Sequence, residues 1–143
     1  MGLNGTVLIS TDVGLSWAQH PLSQNAILNA VAFSRISSSG RFGITVGHQS
    51  GTFVPLVYKT TDGGVTWTQK SSPAFNNVPD LTDVFINTST GNVFAIGDKY
   101  VLKSADAGET WTIVYTGNDV SFNSCWNGSF ALTGTEVTIV AGG

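Results

Sequence analysis

The sequence predicts an all-β protein of the propeller class, with three four-stranded units in 143 residues. Three observations predict it. One octet pattern recurs three times without gaps. Short runs rich in Val, Ile, Phe and Thr flank each copy in the same order. Helical periodicity is absent, and charged residues are only 10 % of the chain, their places taken by Ser, Thr, Asn and Gly. Short strands and tight turns suit that composition.

The octet is S/T-x-D-x-G-x-x-W. Its copies are Ser10-Thr11-Asp12-Val13-Gly14-Leu15-Ser16-Trp17, Thr60-Thr61-Asp62-Gly63-Gly64-Val65-Thr66-Trp67 and Ser104-Ala105-Asp106-Ala107-Gly108-Glu109-Thr110-Trp111. Each reads as a hairpin corner. The Asp side chain accepts hydrogen bonds from backbone N–H groups of the turn that follows. The Gly tolerates a positive φ. The Trp opens the next strand and lays a large ring on the corner. Residues Ser10, Asp12, Gly14, Trp17, Thr60, Asp62, Gly64, Trp67, Ser104, Asp106, Gly108 and Trp111 are therefore structural.

The flanks supply four strands per repeat. The innermost is Leu28–Phe33, matched by Leu81–Ile86 and Phe122–Asn127. Next comes a strand ending in Gly: Ile44–Gly47, Phe94–Gly97 and Ile139–Gly142. A third precedes each octet (Val57–Lys59, Val101–Lys103, Val7–Ile9), and a fourth follows from the Trp. The chain is one domain whose repeats cover about 24–72, about 77–116, and about 120–143 joined to 1–20. The last unit is split between the two ends, and its combined length matches the other two. Val137–Gly142 would pair beside Val7–Ile9 and complete it.

Three blades in one chain fall below the usual range of about four to eight. Two chains joined head to tail would give six, a homodimer closed by a 180° rotation. Three chains with nine blades, or a segment of a longer propeller, are the alternatives.

With the octets and their flanks in view, the sequence resembles the Asp-box (bacterial-neuraminidase-repeat) β-propeller superfamily. It includes sialidases, sortilin-type receptors, some glycosidases and photosystem II stability/assembly-factor-like propellers. The last group is nearest in style, through Leu81-Thr82-Asp83-Val84 and Thr61-Asp62-Gly63-Gly64-Val65-Thr66-Trp67. The resemblance covers almost the whole chain and implies fold far more than function. It does not extend to sialidase chemistry. That family clamps its substrate with three arginines, and this chain has only Arg35 and Arg41; its only glutamates are Glu109 and Glu136. The expectation is a protein that is not an enzyme.

The resemblance also implies ligands at the channel mouth, opposite the Asp-box corners. Loops 18–29, 48–55, 70–81 and 113–121 should lie there. The candidate ligand-binding residues are Asn29, Thr82, Asp83 and Asn123 lining the channel, with Trp126 and Tyr100 for stacking on a sugar. Solvated loops are the competing reading.

The net charge of −3 with scattered cations offers no footprint for nucleic acid. No run of about 18 apolar residues exists to span a membrane. His20 and His48 read as isolated surface or turn histidines, and Cys125 as a small buried side chain. The Asp-box carboxylates offer too few oxygens for calcium. No metal or cofactor is expected. The leading function is a non-catalytic structural or interaction module, as in a phage or virion component. A lectin-like carbohydrate binder is the alternative, with a glycosidase behind it. Partners would be further copies of the chain, virion or surface proteins, or glycans, in a virion-associated or extracellular setting.

Overall fold

The computed structural model describes residues 3–34, 41–87, 89–118, 122–129 and 136–142, the stretches 123–129 and 136–142 as backbone only. Arg35 and Asp119 lie outside the described residues.

Among the described residues twelve strands form four antiparallel sheets. The first sheet is a hairpin of β1 (Thr6–Ile9) and β2 (Ala18–Pro21). The second runs in meander order through β3 (Ala26–Phe33), β4 (Gly43–Gln49), β5 (Pro55–Thr60) and β6 (Thr68–Lys70). The third repeats that order with β7 (Asp83–Ile86), β8 (Val93–Gly97), β9 (Tyr100–Ser104) and β10 (Thr112–Thr116). The fourth pairs β11 (Phe122–Ser129) with β12 (Glu136–Gly142). A 3-10 turn, Pro73–Asn77, joins the second sheet to the third; Ser72 accepts from the Ala74 N–H to cap it.

The sheets stack face to face, so central strands are covered on both sides. β4 accordingly reads Gly-Ile-Thr-Val-Gly-His, buried throughout, without the alternation of a one-sided strand. The main core lies between the second and third sheets, where Ile44, Val46 and Val57 meet Leu81, Val84, Ala95 and Leu102. On the other face of the second sheet, Leu28, Leu56 and Tyr58 pack on Val7 and Trp67. On the far face of the third, Ile96 and Val101 pack with Phe122. The order across the stack is therefore hairpin, full sheet, full sheet, hairpin.

The glycine expected to end the second strand of each full sheet has a steric cause, although β4 runs two residues past Gly47 to Gln49. A Cβ on Gly47 would overlap the Ile27 carbonyl oxygen, and one on Gly97 would overlap that of Asp80. The inner strand crosses there at backbone contact, and only glycine leaves room.

Within the chain β12 pairs with β11 and β1 with β2, with two full sheets between them, so Val137–Gly142 and Val7–Ile9 of one chain are not partners of each other. Two expectations need correction. Segments 18–29 and 113–121 are not simply loops. β2 and the start of β3 occupy the first, and β10 runs to Thr116 around a bulge at Val114. His48 is not a surface or turn histidine but a buried residue of β4. His20 sits in β2 opposite Val7.

Candidate functional site

The three octets fold into the same corner. The first-position hydroxyl of Ser10, Thr60 or Ser104 donates to the Asp Oδ1 at 2.8, 2.8 and 2.7 Å. It also accepts the Gly N–H of Gly14, Gly64 or Gly108 at 2.7, 2.9 and 2.8 Å. The carboxylates of Asp12, Asp62 and Asp106 then accept from the backbone N–H of Ser16, Thr66 and Thr110, each at 2.9 Å. The hydroxyls of those same residues donate to Oδ2 at 2.6, 2.6 and 2.5 Å. Positions four and five are both left-handed: Val13, Gly63 and Ala107 at φ 60°, 79° and 58°, then Gly14, Gly64 and Gly108 at 89°, 100° and 88°. The indole N–H of Trp67 and Trp111 closes the corner on the carbonyls of Gly64 and Gly108.

This bonding holds the carboxylates low. The Ser16 hydroxyl, its N–H and the Ser10 hydroxyl bring Asp12 to about 2, and Thr66 with Thr60 does the same for Asp62. At Asp106 partial burial pushes upward but is outweighed by the bonds from Thr110 and Ser104, again leaving about 2. An unfolded carboxylate titrates near about 3.9. The folded form therefore gains stability above about pH 4 and loses it as pH falls toward about 2. Urea midpoints measured across that interval will drop steeply; a midpoint unchanged between pH 4 and pH 2 would refute the capping role.

At the inner ends of the sheets, polar side chains bind neighbouring sheets together. Asn29 occupies a bulge between Leu28 and Ala30, and its amide donates to the Leu81 carbonyl at 2.8 Å and to Asp80 Oδ1 at 3.2 Å. Thr82, at the matching place one sheet on, donates to the carbonyls of Phe122 at 2.9 Å and Ile96 at 3.2 Å. Two of the residues proposed for ligands are thus engaged in sheet-to-sheet bonds. Asp83 accepts from the Val84 N–H at 2.8 Å. Tyr100 packs against the main core with Lys99 over its ring. Asn123 and Trp126 lie in β11; their side chains are outside the described residues.

Beside these bonds, two of the segments expected at the channel mouth, 48–55 and 70–81, come together. His48 Nδ1 sits 2.7 Å from Asp80 Oδ1, joining β4 to the segment before β7. The other face of the imidazole stacks on Phe53, centroids 5.1 Å apart at 27°. Phe53 is 57 % exposed and holds φ 56°, an outlier for a bulky residue. The β4–β5 loop enforces that strain: Phe53 N–H donates to the Gln49 carbonyl, Gln49 N–H to that of Val54, and Ser50 N–H to that of Asn25. Strain of this kind gathers at binding sites. Phe53, Val54 and Pro55 form one wall of a groove of about 440 Å³, opposite Phe75, Val78 and Pro79, with Thr52, Asn76 and Asn77 on its rim. Apolar walls with rim amides suit burial of an apolar group while its polar backbone is satisfied. The apolar run Phe53-Val54-Pro55 after a Gly51-Thr52 turn was the available sequence signal. Among the described residues no three His, Cys, Asp or Glu side chains gather to hold a metal.

No family model matches the chain, and no curated protein matches it. Among solved structures it is similar to YCF48 bound to D1 peptide, with a TM-score of 0.66 and 20 % identity over 87 % of this chain. The likeness shows the fold, a β-propeller, whose blades are the sheets described above. This chain spans 38 % of the length of that one.

Proposed function

We propose that the chain is a non-catalytic interaction module of the Asp-box propeller type, which holds an extended segment of a partner polypeptide. It works in a homo-oligomeric ring, two copies supplying six blades. The groove between Phe53 and Phe75 carries the reading. Its walls offer an aromatic ring, two prolines and branched aliphatics, and its rim offers Thr52, Asn76 and Asn77 as donors and acceptors. An extended peptide with an apolar anchor uses both kinds of surface. The solved propeller to which this chain is similar holds a peptide, which supports the same class of ligand. Aromatic anchors dominate such contacts.

Purified protein probed against a synthetic peptide array, a glycan array and a glycoside panel tests the reading. Peptides with an apolar anchor should bind, and Phe53→Ala should weaken them about tenfold, equivalent to about 1.4 kcal/mol. Since Phe53 is largely exposed, the fold should tolerate the change. Binding confined to glycans, or hydrolysis of any glycoside, would overturn it.

A further inference from the structure

We infer that the exposed octet corner of the β1–β2 hairpin docks on the third sheet of a second copy of this chain, with β1 laid along the free edge of β12. The inference rests on the ring reading above and assigns its contact surfaces.

Two corners show how an octet is seated. In the third, the Ile44 side chain lies under Gly108 so closely that a Cβ there would stand 2.5 Å from Ile44 Cδ1. Glu109 meets Lys59 and Lys70 of that same neighbouring sheet, each at 2.7 Å. In the second, Gly64 is covered by Ile9 of the β1–β2 hairpin and by Phe33. Among the described residues the first corner has no such cover: Gly14 meets its own Trp17, at 3.8 Å, and no other; Leu15 is 89 % exposed, Trp17 is 61 % exposed, and Val13 is fully exposed.

The complementary seat is present on the third sheet. Phe94, Lys103 and Tyr115 stand there where Ile44, Lys59 and Lys70 stand on the second: Tyr115 lies opposite Val101 as Lys70 lies opposite Val57, past the bulge at Val114. Phe122 covers the inner half of that face, against Ile96 and Val101. The outer half keeps Phe94 half-buried, with Lys103 over its ring at 5.7 Å, and Tyr115 half exposed with its ring edge on Phe122. Where Glu109 faces Lys70, Leu15 would face the Tyr115 ring, apolar against aromatic.

The backbone edges agree. Among the described residues β1 pairs only with β2, and β12 only with β11, so each leaves a row of open amides. The register of the second and third sheets, Gly43↔Thr60 and Val93↔Ser104, carries over to place Thr138 opposite Ser10 and Gly142 opposite Thr6. The hairpin cannot reach its own β12, because it is packed on the second sheet through Val7. A second copy can, and two such exchanges close a ring with two-fold symmetry.

Light scattering on the purified chain tests this, with Leu15→Lys and the double variant Leu15→Lys/Lys103→Glu. The wild type should show a mass near twice 15.0 kDa. Leu15→Lys, which sets a cation against Lys103, should fall to a single-chain mass with unchanged far-UV circular dichroism. The double variant should recover the pair. A wild type of single-chain or threefold mass, a Leu15→Lys protein that still dimerises, or a double variant that stays monomeric would overturn the inference. Peptide binding on the same samples separates it from the functional reading, since the groove lies within one chain.

Discussion

Gly97→Ala will cost the fold on the order of 3 kcal/mol, the upper range for overpacking a tight interior. The added methyl would overlap the Asp80 carbonyl oxygen, 2.7 Å from the Asp80 carbonyl carbon and 2.8 Å from Leu81 Cα. Those atoms are backbone, so no rotamer change relieves the clash; either β8 leaves β7 or the segment leading into β7 moves off. Movement there also breaks the Asn29 bond to the Leu81 carbonyl and the His48–Asp80 contact. Gly63→Ala is the control. Its φ of 79° imposes a left-handed penalty of about 1 kcal/mol, yet nothing lies within 4 Å of its Cβ. Chemical denaturation of both should give a several-fold larger loss for Gly97→Ala. Equal losses would mean that conformation, not contact, fixes glycine at the end of that strand.

Trp111→Ala will cost about 4 kcal/mol, within the span measured for large aromatics removed from cores. Trp111 is 4 % exposed, sits in the main core against Phe75, and bonds the Gly108 carbonyl. Its carbonyl also receives the Ser72 hydroxyl, which positions the 3-10 turn that floors the groove. Against a total stability of about 5–15 kcal/mol such a loss leaves a marginal protein. Trp67, half-buried with an edge contact to Phe33, should cost about half as much. Trp17 should register chiefly in oligomer mass. If thermal unfolding ranks the three alike, the graded seating of the corners has no energetic meaning.

Local chemistry in this chain was readable and cross-sheet geometry was not. The octets announced themselves because every bond of the corner joins residues no more than four apart. The Gly-ended strands were visible as a pattern, but their cause, a neighbouring strand at contact distance, appears only once β3 and β7 are in place. Asn29 and Thr82 were legible as inner-strand polar residues and candidate ligand groups, but their sheet-to-sheet bonds were not. Their partners, Leu81 and Phe122, are 52 and 40 positions away. His48 was read as an isolated surface or turn histidine for the same reason, since Asp80 is 32 positions distant. The groove unites two of the loops expected at the channel mouth, 48–55 and 70–81, but the left-handed φ of Phe53 contradicts the residue type, so no propensity rule would place it there.

The sheet-to-sheet bonds of Asn29 and Thr82 act near the axis, whereas the seated corners act at the periphery. The second and third sheets are consequently pinned to each other at a short and a long radius, which fixes the angle between them. Curvature is then a local property. A stack of these units behaves as a fan whose opening per leaf is constant, and loops at its margins can lengthen or change sequence without altering how far it has turned.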